Sequence, residues 1–178
     1  MKFIVPMSVA VLLAAPVHAA ELDDRFEEMG NMSITLDGDT RTLVIPYDTE
    51  NDRGYAEQKM IMGSFLTINV LGQTVGEDGM PGSPMVQVTL QRRSNDMQLL
   101  SVEMFDEQGY AAPLSIGPDG GTGTLTAFEM TQDNQVSGTV DGEMLRLADY
   151  TGEPKVAEGA VPQPTTISFS VTLPPLEQ

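Results

Sequence analysis

The stretch TTISFSVTL, Thr165 to Leu173, alternates without a break. Ile167, Phe169, Val171 and Leu173 fall on one side of an extended chain, and Thr166, Ser168, Ser170 and Thr172 on the other. Successive side chains of a strand point to opposite faces, so this is a strand with one buried and one wet face. Pro174 and Pro175 end it, because proline cannot donate to a sheet ladder.

The same period of two recurs upstream. MSITL offers Met32, Ile34 and Leu36, and Asp37-Gly38-Asp39 precedes the return strand TRTLVI, an arrangement that signals a hairpin. KMIMGSFLTINVL, Lys59 to Leu71, reads as one long strand with a bulge or bend at Gly63. MVQVTLQ offers Val86, Val88 and Leu90, and QLLSVEMF offers Leu100, Val102 and Met104. TGTLTAFEMT and QVSGTVDGEMLRL form a hairpin across Gln132 to Asn134, with Val136 and Val140 inward. PLSIG reads as a short edge piece.

Between these runs lie Gly76 to Pro84, Gly117 to Gly121 and Thr151 to Pro164, all rich in turn formers. Many short strands joined by Gly/Pro-rich turns imply an all-β fold. The expectation is a single antiparallel β-sandwich or flattened barrel of about eight strands spanning residues 32–178. An outer-membrane barrel would need apolar outward bands flanked by aromatic girdles. Here the non-core face carries Thr, Ser, Gln and Glu, and the chain has no tryptophan. Residues 20–31 read as an amino-terminal helix or tail: Leu22, Phe26 and Met29 have helical spacing, and Gly30 suits a cap.

Residues 1–19 have the grammar of a secretory signal peptide. Lys2 precedes an apolar run from Phe3 to Val17, and Val17 and Ala19 supply the small residues before a cleavage point. Cleavage after Ala20 is the near alternative. The run is shorter than the roughly 20 residues that span a bilayer, so no membrane anchor is expected after cleavage. His18, the only histidine, would leave with the signal. With no cysteine in the chain, the expected mature form lacks Ser-His-Asp and Cys-His catalysis, thiol chemistry, and zinc sites built from histidine or cysteine.

The chain carries 26 acids against 9 bases, a net charge of −17 that becomes −18 without Lys2. Such a surface repels nucleic acid and anionic lipid.

Among motifs, YDTENDRGYAE holds Asp48, Glu50 and Asp52 at alternate positions, an oxygen-rich loop of the kind that wraps calcium. The loop departs from a helix-loop-helix calcium site: glycine comes seventh, and Lys59 stands where a bidentate glutamate belongs. Turn chemistry alone explains Asp37 and Asp39. Met29 with Met32, and Met60 with Met62, have spacings that suit copper(I), though Met32, Met60 and Met62 also fall on inward strand faces, where methionine fills space. DYTG, Asp149 to Gly152, misses the aspartic-protease pattern by its tyrosine, and neither Lys59 nor Lys155 sits in an S-x-x-K motif. Paired carboxylates remain the one route to catalysis. QRRSND, Gln91 to Asp96, is the only concentrated positive charge, a strand end or a dock for a carboxylate.

The functional expectation is an exported, periplasmic or secreted, non-enzymatic module that binds a protein or small-molecule partner through loops or a sheet edge. A calcium-stabilised module is the second reading and a carboxylate-dependent hydrolase the third. Oligomeric state has no signature in the sequence.

Overall fold

The computed structural model describes residues 21–176. The expected signal peptide and His18 lie outside them. Twelve strands follow in order: β1 (Phe26–Leu36), β2 (Asp39–Asp48), β3 (Arg53–Gly54), β4 (Ala56–Ile61), β5 (Phe65–Val75), β6 (Pro81–Arg93), β7 (Asp96–Phe105), β8 (Leu114–Ile116), β9 (Thr122–Met130), β10 (Gln135–Asp149), β11 (Lys155–Val156) and β12 (Gln163–Thr172). Eight of them close a barrel in the order β2-β1-β12-β10-β8-β7-β6-β5, and a bridge from Val44 to Gln73 returns β5 to β2. All the ladders are antiparallel.

The alternating stretch that ends the domain is β12, held between β1 and β10. Ile167, Phe169, Val171 and Leu173 are all at most 3% exposed, while the serines and threonines between them face outward. Opposite Phe169 on β10 stands Gly138. The Phe169 ring lies so close that a Cβ on Gly138 would meet its Cζ at 2.5 Å. Large and small residues on paired strands thus interlock, as dense packing requires. Met32, Ile34, Ile45, Ile68, Val88, Val102, Val140 and Met144 complete an interior filled by side chains.

Several local readings change. No helix occurs among the described residues, and residues 26–30 belong to β1. A bulge between Glu28 and Gly30 inserts one residue against β2. Met29 and Met32, three apart, therefore both pack on the core, and a bulged strand imitates helical spacing. Lys59 to Leu71 is two strands joined by a hairpin: Met62 and Gly63 both take positive φ (52° and 68°) in the turn that the Ser64 amide closes on the Ile61 carbonyl. Met60 and Met62 are consequently exposed, at 43% and 89%. In β7 a bulge opposite Thr89 and Leu90 pairs Leu99 with Leu90 and leaves Leu100 outside. PLSIG is no edge. Its β8 sits inside the barrel wall between β7 and β10.

One part of the wall is unsealed. Along β10, β8 and β9 behave as one strand interrupted by the loop 117–121, with β8 against Leu145 and Arg146 and β9 against residues 136–143. On the other side, β8 pairs with Val102 to Met104 of β7, but β9 makes no ladder with residues 96–101 of β7 among the described residues. The two strands diverge and leave a slot.

Replacing Gly138 by valine is expected to drive Phe169 from its position. Overpacking of this kind costs about 1–3 kcal/mol, to be read from the midpoint of urea unfolding at unchanged slope.

Candidate functional site

Three places merit description: the acidic loop after β2, the covered outer face around Glu103, and the slot between β7 and β9.

In the acidic loop, Asp48 is 3% exposed. The Arg25 guanidinium grips it with two bonds, Nε to Oδ1 at 3.0 Å and Nη2 to Oδ2 at 2.5 Å. Its oxygens also accept the Glu50 and Asn51 amides and the Asn51 side-chain amide. Arg25 beside it, joined by Asn51, holds the Asp48 carboxyl far below the usual carboxylate range. Glu50 lies on the outside of this pair, 3.4 Å from Arg25 Nε. Asp52 points elsewhere and accepts the Tyr47 hydroxyl, which raises the phenol's pKa. Of the three residues expected to share calcium, Asp48 and Glu50 thus meet on Arg25, while Asp52 is engaged by Tyr47. Among the described residues no group of three acidic, histidine or cysteine side chains is placed to hold a metal ion. Asp48 instead ties the segment before β1 to the end of β2, with Thr49 donating its amide to the Arg25 carbonyl. This clasp was half legible: the acids stood out, but Arg25 lies 23 residues earlier and nothing local announces it.

Of the two methionine pairs, Met29 and Met32 both pack on the core. Met32 is fully buried, whereas Met60 and Met62 lie exposed at the β4–β5 turn.

On the outer face of β7, the segments after β7 and β10 fold over Glu103. Phe105 packs against Tyr110 and Tyr150 at ring separations of 4.9 and 5.9 Å. Arg146 holds Asp106 with two bonds (2.9 and 2.5 Å) and donates to the Ala112 carbonyl at 2.6 Å. Burial pushes Asp106 up, yet these bonds from Arg146 hold it below its ordinary value. Beneath this cover Glu103 is 5% exposed, and Ser101 Oγ, 3.3 Å away, donates to it. Burial raises its pKa to about 7. The charge of Glu103, after burial, also raises the pKa of Tyr150. A second carboxylate does not face Glu103 across its strand neighbours, Gln87 and Ser115.

No family model, curated protein or solved structure matches this chain.

The slot is the remaining feature. A cavity of about 230 Å³ at the Asp37–Asp39 turn is mixed, its mouth lined by Asp37, Asp39, Arg41 and Gln163 and its remaining wall by Ile34, Leu36 and Met104. The slot, of about 300 Å³, differs in kind: Met97, Gln98 and Leu99 of β7 face Gly123, Thr124 and Leu125 of β9. Met97, Leu99, Leu125, Phe128 and Met130 are half-buried on the core. The two flanking edges lack ladder partners. The Thr131 amide bonds the Gln135 carbonyl, and bonded pairs alternate in an antiparallel ladder. By that alternation the amides of Ala127 and Glu129 point to β10, and those of Phe128 and Met130 point to the slot side. The nine residues of β9 contain no proline and one charge, Glu129. The β4 edge, in contrast, carries Glu57 and Lys59 in an ion pair of 2.6 Å, the kind of charge guard that blunts an edge. Arg92 and Arg93 stand at the slot's open end, where β6 turns into β7.

Two outcomes are expected here. Glu103 binds a proton more readily folded than unfolded, so its contribution to stability is full below about pH 4.5 and falls as pH rises to about 7. Glu103→Gln is therefore expected to raise the unfolding midpoint at pH 8, by about 2 kcal/mol, and to change little at pH 4.5. Arg25→Ala is expected to lower the thermal midpoint at neutral pH, because Asp48 is left buried without its cation. A chelator is expected to leave the wild-type midpoint where it was.

Proposed function

We propose that this protein is a non-enzymatic binding module, exported to the periplasm or beyond, that takes an extended segment of a partner polypeptide as an added strand between β7 and β9. One observation carries the reading: two facing strand edges without ladder partners border an apolar slot. An added strand supplies the missing backbone bonds, and alternate side chains fill the space beside Leu99 and Leu125. The filled barrel interior supports recognition at the wall over storage of a ligand in the lumen. The buried Glu103, with no facing carboxylate on its strand neighbours, supports binding over paired-carboxylate chemistry. Export rests on the amino-terminal sequence pattern.

The test uses a soluble nonapeptide of alternating valine and threonine, titrated into the isotopically labelled protein. The expected result is saturable shifts confined to residues 96–101 and 122–130. Charge guards on the slot lining, Gln98→Lys with Thr124→Lys, are expected to weaken binding at least tenfold while the unfolding midpoint holds. Shifts scattered over the barrel, or binding indifferent to both lysines, would overturn the reading.

A further inference from the structure

The positive charge at the mouth of the slot bears on what kind of segment fits. Arg92 is the cross-strand partner of Met97, and Arg93 that of Asp96. Partners in a pair share a face. Arg92 therefore lies on the same face as Met97, whose side chain lines the slot, one step beyond the Leu90–Leu99 pair that packs on the core. Arg93 flanks the opening from the other face. Both are exposed. Among the described residues the ion pairs formed by arginine are those of Arg25 with Asp48 and Glu50, and of Arg146 with Asp106. Among the described residues neither Arg92 nor Arg93 forms an ion pair, although the chain carries 26 acids against 9 bases. Arg92 and Arg93 are the only two adjacent bases in the sequence, so the repulsion of an acidic partner by this surface is most offset here. Each guanidinium, one on either face of the strand end, supplies fork-shaped donors that match a carboxylate.

We infer that the segment taken by the slot carries carboxylate at the end that emerges beside Arg92 and Arg93: an acidic residue or a chain terminus following an apolar alternating run. This rests on the strand-addition reading, and it adds polarity to it. The apolar pocket sets which residues lie along the slot, and the arginine pair sets which end points out. Backbone bonds supply affinity regardless of sequence, so the charge contact is the element that selects one partner over another.

The experiment compares three peptides on the full chain: the valine-threonine nonapeptide, the same peptide with two glutamates at one end, and the same with two lysines there. Each is made with the charges at either terminus. The glutamate form is expected to bind about five- to tenfold more tightly than the neutral one, the sum of two exposed ion contacts, and to lose that advantage at high salt. Arg92→Glu with Arg93→Glu is expected to reverse the order so that the lysine form binds best. Both substitutions lie at the exposed end of β6, and an unchanged unfolding midpoint confirms that the fold is retained. Three peptides binding equally, or an order that survives the reversal, would overturn the carboxylate inference and leave strand addition standing. Failure of all three to shift residues 96–101 and 122–130 would overturn both.

Discussion

Backbone amides and carbonyls must be paired when they are removed from water, and this molecule meets that demand by closing a sheet on itself. β10 is the member on which closure depends. Its 15 residues reach β12 along one edge, β9 and then β8 along the other, and β11 near its end. A strand that serves four neighbours cannot keep them all in one smooth surface. The chain leaves the wall at residues 117–121 and returns as β9, which follows β10 and so departs from β7. The slot follows from that departure, since the ring is completed at β8 and left unsealed at β9.

Elsewhere the chain spends its polar side chains on fastening. Arg25–Asp48 binds the segment before β1 to the end of β2, and Arg146–Asp106 binds the turn after β7 to β10. Both are two-pronged and inwardly placed, so each aspartate is satisfied where it is buried. Gln58 closes one end of the barrel by donating to the Pro174 carbonyl at 2.8 Å. Glu103 is the exception. Its burial favours the neutral form at moderately acid pH and outweighs the one serine bond, which favours the charged form. These groups act on stability in opposite directions: Asp48 and Asp106 lose their contribution as acid protonates them, and Glu103 loses its own as base ionises it.

Much of the fold was legible in the alternation. Val136 and Val140, Val86 and Val88, and the face from Ile167 to Leu173 all lie inside as their spacing requires. What alternation misreads is the bulge, because one inserted residue resets the faces. Leu100 and the stretch around Met29 were misread for that reason. The hairpin at Met62-Gly63 was hidden because apolar residues run through it. The candidate site was less legible. Acids caught the eye at Asp48, yet their meaning lay in Arg25, far away in sequence. Only the arginine pair was visible at the slot itself. The lack of a partner for β9 is a property of pairing between distant strands, which local pattern does not contain.

The account stands on the claim that β9 has a free edge, and amide hydrogen exchange resolved by residue tests it most directly. Within β9 the account predicts alternation: the amides of Ala127 and Glu129, bonded to β10, exchange slowly, while those of Phe128 and Met130 exchange orders of magnitude faster. Uniform slow exchange along residues 127–130 would mean that the wall is sealed, and would contradict the account.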